Sequence, residues 1–138
     1  MRVFLDTNLL VSAFATRGLC ADVLQVCLVE HQLVLGETVL AELQRILQGK
    51  IGLPPGIIQE ADVFLRRQAM VVSDAPLLSL AIREREDLPV LAEAIAGNAD
   101  VLVTGDKDLL DLPSDPPLSI LSPRAFWEEL RSNPSEEE

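Results

Sequence analysis

Residues 2–8, RVFLDTN, place an unbroken apolar run directly before an aspartate. Residues 99–108, ADVLVTGDKD, carry a second such run near the other end of the chain, and it too is followed by acidic residues. Runs of Val, Leu and Phe without alternating polar residues are typical of strands that are covered on both faces of a parallel sheet. We therefore expect both stretches to be buried strands of one sheet.

Helical and strand-like patterns alternate along the rest of the chain. The predicted helices are residues 9–15, 19–29, 37–48 with an end at Gly49, 57–67, 88–96, and the segment that begins at the Ser122-Pro123 start signal. Further strands are expected within 31–37, 69–74 and 119–122. Because strands that alternate with helices form a parallel sheet with helices on both faces, the sequence predicts an α/β fold.

The composition indicates one folded domain. The chain has 138 residues, of which 49% are apolar, enough for one hydrophobic core. We expect this domain to span residues 1–131, followed by a frayed acidic tail over 132–138. No stretch reaches the roughly 20 apolar residues that span a bilayer. No secretory signal is recognisable, and the two cysteines are interpreted as free thiols, so we expect a cytoplasmic protein.

Carboxylates follow two of the predicted strands. Asp6 comes directly after the first strand, and Asp106 follows the strand within 99–108 after Thr104 and one glycine. Because ligands of open α/β sheets bind at the carboxyl ends of the strands, we expect both acids to project from the same edge. Asp108 comes two positions later and could reach the same place.

Two further acids belong to predicted helices. Glu42 lies at the margin of the apolar face of helix 37–48, where a carboxylate can reach a cleft while its helix stays docked. Thr38 lies one turn before it on the same side. Asp87 directly precedes helix 88–96. The sequence therefore makes these two acids candidates for the same site.

Each acid also has an ordinary structural interpretation. Asp6 and Asp87 could cap the helices that follow them. Glu42 could form a surface ion pair with Arg45, and the acids within 106–108 could be loop residues. The functional interpretation depends on the set of acids rather than on any single member.

A divalent cation would explain why these carboxylates are gathered. Carboxylates in one cleft repel one another, and the net charge of −11 argues against passive binding of nucleic acid through a basic surface. Oxygen ligands without His or Cys nearby select Mg²⁺ or Mn²⁺ over zinc. One or two such ions would activate water for attack on a phosphoryl group. Asn8 and Thr104 could orient the water or the ligands, and Arg17, Arg45 and Lys107 could supply local positive charge.

Four stretches of the chain resemble the PIN-domain family. They are FLDTN at 4–8, ETVLAEL at 37–43, DLPVLAEAIAGNADVLVTGDKDLL at 87–110 and SILSPRAFWEEL at 119–130. The resemblance covers residues 2–131 and is strongest to the prokaryotic group described as toxin components of toxin–antitoxin systems. It implies a three-layer α/β/α sandwich with a central parallel sheet and a ribonuclease that depends on Mg²⁺ or Mn²⁺.

The resemblance also implies a set of site residues. Matched motif by motif, the main acids of the family fall on Asp6, Glu42, Asp87 and Asp106, with Asp108 as an additional acid and small polar positions at Asn8 and Thr38. Glu84 or Glu86, in the charged stretch before Asp87, is an alternative for the third acid. Toxins of this family are commonly paired with an antitoxin and commonly form dimers.

Together, the residues and the resemblance predict a metal-dependent endoribonuclease. It would hydrolyse phosphodiester bonds of single-stranded or structured RNA, pair with a cognate antitoxin and form a homodimer. Two alternatives stay open. A phosphatase of the haloacid-dehalogenase kind also carries an aspartate after its first strand, but here Asn8 replaces the second acid of that motif. The other alternative is a catalytically silent interaction module with a PIN fold.

Overall fold

The computed structural model describes residues 1–73, 88–112 and 118–132. Within these ranges, strands and helices alternate as expected. In chain order they are β1 (Arg2–Leu5), α1 (Thr7–Ala15), α2 (Leu19–Glu30), β2 (Gln32–Gly36), α3 (Glu37–Ile46), a π-helical turn (Leu47–Ile51), α4 (Pro55–Gln68), β3 (Met70–Val72), α5 (Leu88–Ala96), β4 (Val101–Val103), α6 (Lys107–Leu110), β5 (Ser119–Leu121) and α7 (Pro123–Ser132).

The strands of the described residues form one parallel sheet in the order β3-β2-β1-β4-β5. Phe4 of β1 lies opposite Val34 of β2 and Leu102 of β4. The chain steps outward from β1 to β3 and then returns to the other side of β1 as β4. The direction of winding therefore reverses between β1 and β4, and such a reversal opens a crevice for ligands in parallel α/β proteins.

The central strands are buried because helices cover both faces of the sheet. Val3, Phe4 and Leu5 of β1 have no exposed surface, and neither do Leu102 and Val103 of β4. Crossovers between parallel strands are right-handed, so the connections from β1 to β3 place α1–α4 on one face and the return to β4 places α5 on the other. The predicted α/β/α sandwich with a central parallel sheet is confirmed.

Several helix boundaries differ from the sequence prediction, among them the end of α3 and the start of α4. The helix predicted over 37–48 continues as a π-helical turn to Ile51, so the end expected at Gly49 is wrong. The turn closes at Gly52, whose φ of 78° lies in the left-handed region that glycine adopts without strain. The next helix begins at Pro55, earlier than predicted, because proline is well suited to the first helical turn.

The C-terminal third contains one element without a counterpart in the sequence prediction. The helix α6 has 4 residues, too few to show a hydrophobic period. The N-cap predicted at Ser122 is confirmed, because its Oγ accepts a hydrogen bond from the backbone N of Ala125 at 3.0 Å. The polar connection before residue 88, most of the loop at 112–117 and the tail after Ser132 lie outside the described residues.

No single helix in the described ranges is long and apolar enough to cross a membrane, and α1 and α2 reach such a length only as a pair bent by 105°.

Candidate active site

The ends of β1 and β4 bring two of the predicted acids to one edge of the sheet. Asp6 follows β1 directly, and its backbone N donates a hydrogen bond to the Val103 carbonyl at the end of β4, at 3.0 Å. Thr104 comes directly after β4, and Asp106 comes two residues later. These positions flank the point where the winding of the sheet reverses. The predicted convergence of the two strand ends is therefore present.

Asp6 is held in place by hydrogen bonds to both of its carboxylate oxygens. Its side chain is buried, with 7% exposure for the whole residue. Oδ1 accepts from the backbone N of Thr7 at 2.7 Å, and Oδ2 accepts from the Thr104 hydroxyl at 2.6 Å. Asp6 is also the N-cap of α1, so it has the structural role of a helix cap as well as a place at the crevice.

Thr104 connects the two acids. While its hydroxyl donates to Asp6, the same oxygen accepts from the backbone N of Asp106 at 3.0 Å. The Asp106 Oδ1 accepts in turn from the backbone N of Asp108 at 2.9 Å, which makes Asp106 the N-cap of α6. Thr104 has no exposed surface. A chain of hydrogen bonds thus fixes Asp106 relative to Asp6.

The Asp6 carboxylate lies in surroundings that disfavour its charge. Burial raises the pKa of Asp6 above its ordinary value, and the nearby charge of Asp106 raises it further, whereas the hydrogen bonds from Thr104 and Thr7 act in the opposite direction. A cation would stabilise two negative charges placed in this way, one on the buried Asp6 and one on the half-buried Asp106. The side-chain atoms available here to bind a metal are all oxygens, which suits a hard divalent ion such as Mg²⁺ or Mn²⁺.

Among the described residues, no other predicted site residue joins this pair in a group of three that could hold a metal ion. In the described parts of the chain, no group of three or more His, Cys, Asp or Glu side chains is arranged to hold a metal ion. Glu42 is half-buried on α3, and Asp87 lies outside the described residues, as do Glu84 and Glu86. Asp108 contributes its backbone N to Asp106. Asn8 is exposed on α1, while Thr38 is half-buried and bonds to a residue that was not among the candidates.

That residue is Glu93 on α5, with only 5% exposure. Its Oε2 accepts from the backbone N of Thr38 at 3.2 Å and from the Thr38 hydroxyl at 3.1 Å. Burial raises the pKa of Glu93, and the charge of Glu37 adds to this effect, whereas the two hydrogen bonds from Thr38 oppose it. The one sequence signal that could have identified it is a lone carboxylate in the otherwise apolar helix Leu88–Ala96.

A comparison with protein families identifies one match. The family model described as PIN domain matches residues 2–108. No curated protein matches the chain.

Two solved structures share the fold. A chain of VapBC2 from Rickettsia felis, crystallised with a DNA fragment from the promoter, is 23% identical with a TM-score of 0.62; the match covers 88% of this chain and 98% of that one. A chain of VapBC-1 from nontypeable Haemophilus influenzae is 19% identical with a TM-score of 0.58; the match covers 90% of this chain and 99% of that one.

Proposed function

The chain belongs to the PIN-domain family, and from this premise we propose that it is a metal-dependent endoribonuclease acting as the toxin of a toxin–antitoxin pair. The observation that carries the proposal is the pair formed by the buried Asp6 and the half-buried Asp106 at the reversal point of the sheet. Thr104 holds both acids in one geometry although their charges repel. Such a costly arrangement is expected where a cation is bound for chemistry.

The donor set fits a hard divalent ion. Each carboxylate oxygen of Asp6 accepts one hydrogen bond and keeps a further lone pair for a metal. We propose that Asp6 and Asp106 hold one or two Mg²⁺ or Mn²⁺ ions, and that Glu42 and Asp87 complete the ligand set. When bound, such an ion supplies activated water and positive charge for the phosphoryl oxygens.

The protein's own side chains would orient this chemistry. The Thr104 hydroxyl and the Thr7 backbone N fix the Asp6 carboxylate, so that its lone pairs point in a constant direction. Asp108 supports Asp106 through its backbone N. Asn8 is exposed two residues after Asp6 in the sequence, where it could contact a substrate or a water molecule. No side-chain nucleophile is required for hydrolysis by activated water.

The acidic character of the chain limits how RNA would bind. A net charge of −11 disfavours broad electrostatic attachment to a phosphate backbone. We therefore propose that RNA binds through the site itself and a few exposed cations near it, such as Lys107 and Arg45. Binding should accordingly require the divalent ion.

The proposed partner is an antitoxin. The support is the similarity of fold to the VapBC2 and VapBC-1 chains together with the family resemblance of the motifs. We further propose that the protein is a cytoplasmic homodimer. Gel filtration combined with light scattering, on the protein alone and co-expressed with the product of any adjacent small open reading frame, tests both statements.

Cleavage of a pooled RNA set tests the activity. The wild-type protein should cleave RNA with Mn²⁺ and lose this activity with a chelator. The variant Asp6→Asn should not cleave, yet it should fold, because asparagine caps a helix as well as aspartate does. The matched control is Asp22→Asn, which removes one acid from the exposed first turn of α2. Equal cleavage by Asp6→Asn and wild type would refute the assignment.

A catalytically silent interaction module is the second candidate. It is favoured by the finding that the described residues contain no group of three metal-ligating side chains. Calorimetry with Mn²⁺ separates the candidates. A nuclease should bind the ion through Asp6 and Asp106, whereas a silent module should show no binding that depends on Asp6.

A further inference from the structure

The N-terminus of α3 lacks a capping side chain of its own. The N-cap residue is Gly36, which cannot accept a hydrogen bond through a side chain. Instead, the Glu93 carboxylate from α5 accepts from the backbone N and the hydroxyl of Thr38, in the first turn of α3. A negative charge at this end of a helix is also favoured by the helix dipole. Glu93 therefore performs from another helix what an N-cap performs locally.

The close fit of Glu93 depends on glycine at position 36. A methyl group on Gly36 would overlap the carboxylate and the Cβ of Glu93. A second glycine, Gly97, directly follows α5. A methyl group added to Gly97 would lie 2.6 Å from a side-chain atom of Val34 and 2.9 Å from one of Val72. These two glycines let α5 pack close to β2 and β3. As a result, the Glu93 carboxylate reaches α3 across the end of β2.

We propose that Glu93 is a positioning residue of the nuclease site, which fixes the first turn of α3 and through it the placement of Glu42 one turn later. The contact lies at the end of β2, beside the end of β1 where Asp6 is held. α3 also packs against α1, whose N-cap is Asp6. Anchoring α3 at Thr38 thus sets its register relative to Asp6. The role assigned to Glu42 rests on the function proposed above.

Stability alone does not account for a carboxylate at this position. Glu93 is buried among apolar residues, and its Oε1 has no hydrogen-bond partner within the described residues. A buried carboxylate that is only half satisfied opposes folding. A role in geometry explains why it bonds to Thr38 at both the backbone and the hydroxyl. The raised pKa of Glu93 is in keeping with this cost.

The same turn of α3 offers a matched control. Glu37 precedes Thr38 and forms an exposed two-point ion pair with Arg66 of α4, at 2.7 and 2.8 Å. The variants Glu93→Ala and Glu37→Gln each remove one carboxylate from contact with this turn, one from the buried side and one from the exposed side. A general effect of charge near α3 would appear in both variants, whereas a positioning effect would appear only with changes at Glu93.

Two measurements test the proposal on the full chain: Mn²⁺ affinity by calorimetry, and amide hydrogen exchange over residues 38–42. Glu93→Ala should weaken Mn²⁺ binding about 10-fold, as is usual for residues that orient a ligand, and should speed exchange of these amides. Glu93→Gln should restore much of both, because its amide oxygen can still accept from Thr38. In a Glu42→Gln background, Glu93→Ala should weaken Mn²⁺ binding no further. Glu37→Gln should match wild type.

Several outcomes would overturn the proposal. Unchanged Mn²⁺ affinity and exchange in folded Glu93→Ala would do so, as would effects that add fully to those of Glu42→Gln. If Glu93→Ala does not fold, Thr38→Val replaces it, and wild-type Mn²⁺ affinity together with wild-type amide exchange in this variant counts against the proposal. Wild-type protein that binds Mn²⁺ but cleaves no RNA would refute the proposed function, while the affinity pattern still decides the role of Glu93. Wild-type protein that binds no Mn²⁺ would refute both.

Discussion

Asp6 and Glu93 are two buried carboxylates at the ends of adjacent strands, and their local chemistry is similar. Each accepts one hydrogen bond from a threonine hydroxyl and another from a backbone N. For both, burial is the main cause that raises the pKa. Neither burial nor a raised pKa therefore distinguishes the proposed metal-binding acid from the structural one in this fold.

Their surroundings differ. Asp6 faces a second acid, Asp106, across the point where the sheet reverses. For Glu93, the neighbouring negative charge that raises its pKa is that of Glu37, which is itself paired with Arg66. The first arrangement places a second negative charge near a buried carboxylate, whereas the second leaves one charge at a helix N-terminus. A second acid at the reversal point is thus the feature that indicates metal chemistry.

The largest expected effect comes from Asp106→Asn. The substitution keeps the cap of α6, because asparagine accepts the same hydrogen bond from the Asp108 backbone N. It removes a proposed metal ligand, so Mn²⁺ affinity and RNA cleavage should fall by at least about 100-fold, beyond the usual loss for a supporting residue. In the absence of metal, the melting temperature should hold or rise, because a charge that repels Asp6 is gone.

The control for Asp106→Asn is Asp22→Asn on the exposed turn of α2. Calorimetry and thermal melts with and without Mn²⁺ provide the measurement. If Asp106→Asn keeps the stabilisation that Mn²⁺ gives to wild type, Asp106 is not a ligand, and the contrast drawn between the two carboxylates loses its basis.

The two threonines provide the next comparison. Thr104→Val removes the donor to Asp6 and the acceptor for the Asp106 backbone N, so both proposed ligands lose their orientation. Mn²⁺ affinity should fall about 10- to 100-fold. Thr38→Val removes only the hydroxyl donor to Glu93 and leaves the backbone N in place. Its effect on Mn²⁺ affinity should be smaller.

The free energy of unfolding gives Thr38→Val a second readout. Loss of a hydrogen bond to a charged group costs about 1.5–3 kcal/mol. Urea unfolding should show a loss of this order for Thr38→Val, because Glu93 stays buried with fewer partners. Wild-type Mn²⁺ affinity in both variants would show that neither threonine orients a ligand.

A glycine pair tests the packing around Glu93. Gly36→Ala places a methyl group against the Glu93 carboxylate and should destabilise the fold by about 1–3 kcal/mol, as overpacking generally does. Gly56→Ala, in the first turn of α4, places a methyl group where no atom lies within 4 Å. It should be neutral or should stabilise by up to about 1 kcal/mol through reduced freedom of the unfolded chain. Similar unfolding energies for both variants would mean that Glu93 moves aside without cost.

The sequence predicted the placement of Asp6 and Asp106 at one edge of the sheet because this placement follows from local pattern. Each comes at or just after the end of an apolar strand, and parallel strands bring such ends to one edge. Glu93 could not be found in this way. Its partner Thr38 lies 55 residues away in the chain, and its place depends on the missing side chain at Gly36. Within the apolar helix α5, the hydrophobic pattern places Glu93 at a core position but gives no reason for a charged residue there.

The architecture was predictable for the same reason. The features that the sequence did not predict depend on tertiary packing. Unbroken apolar runs identified the central strands, whereas the extension of α3 into a π-helical turn has no local signal. Leu47 is buried in that turn with 1% exposure, so packing keeps the chain helical past Ile46 until Gly52 ends it. The convergence of Glu42 and Asp87 with the central pair stays a prediction.

The smallest expected effect is a difference in pH dependence between Glu93 and Glu37. The folded-state pKa of Glu93 is raised above its ordinary value of 4.5, so its contribution to stability is fully present below that value and is lost as the pH rises through the folded pKa. The pKa of Glu37 is lowered by its hydrogen bonds from Arg66, so its contribution is present above 4.5 and is lost as the pH falls. The two contributions therefore have opposite signs.

Melting temperatures of the metal-free protein from about pH 3 to about pH 7 measure this contrast. Relative to wild type, Glu93→Gln should become more stable as the pH rises above 4.5, because the variant has no charge to bury. Relative to wild type, Glu37→Gln should become less stable as the pH rises towards 4.5, because only wild type gains the pair with Arg66. If the melting temperatures of the two variants change with pH in the same way, burial does not disfavour the charge of Glu93. Glu93 would then be equivalent to an ordinary helix cap.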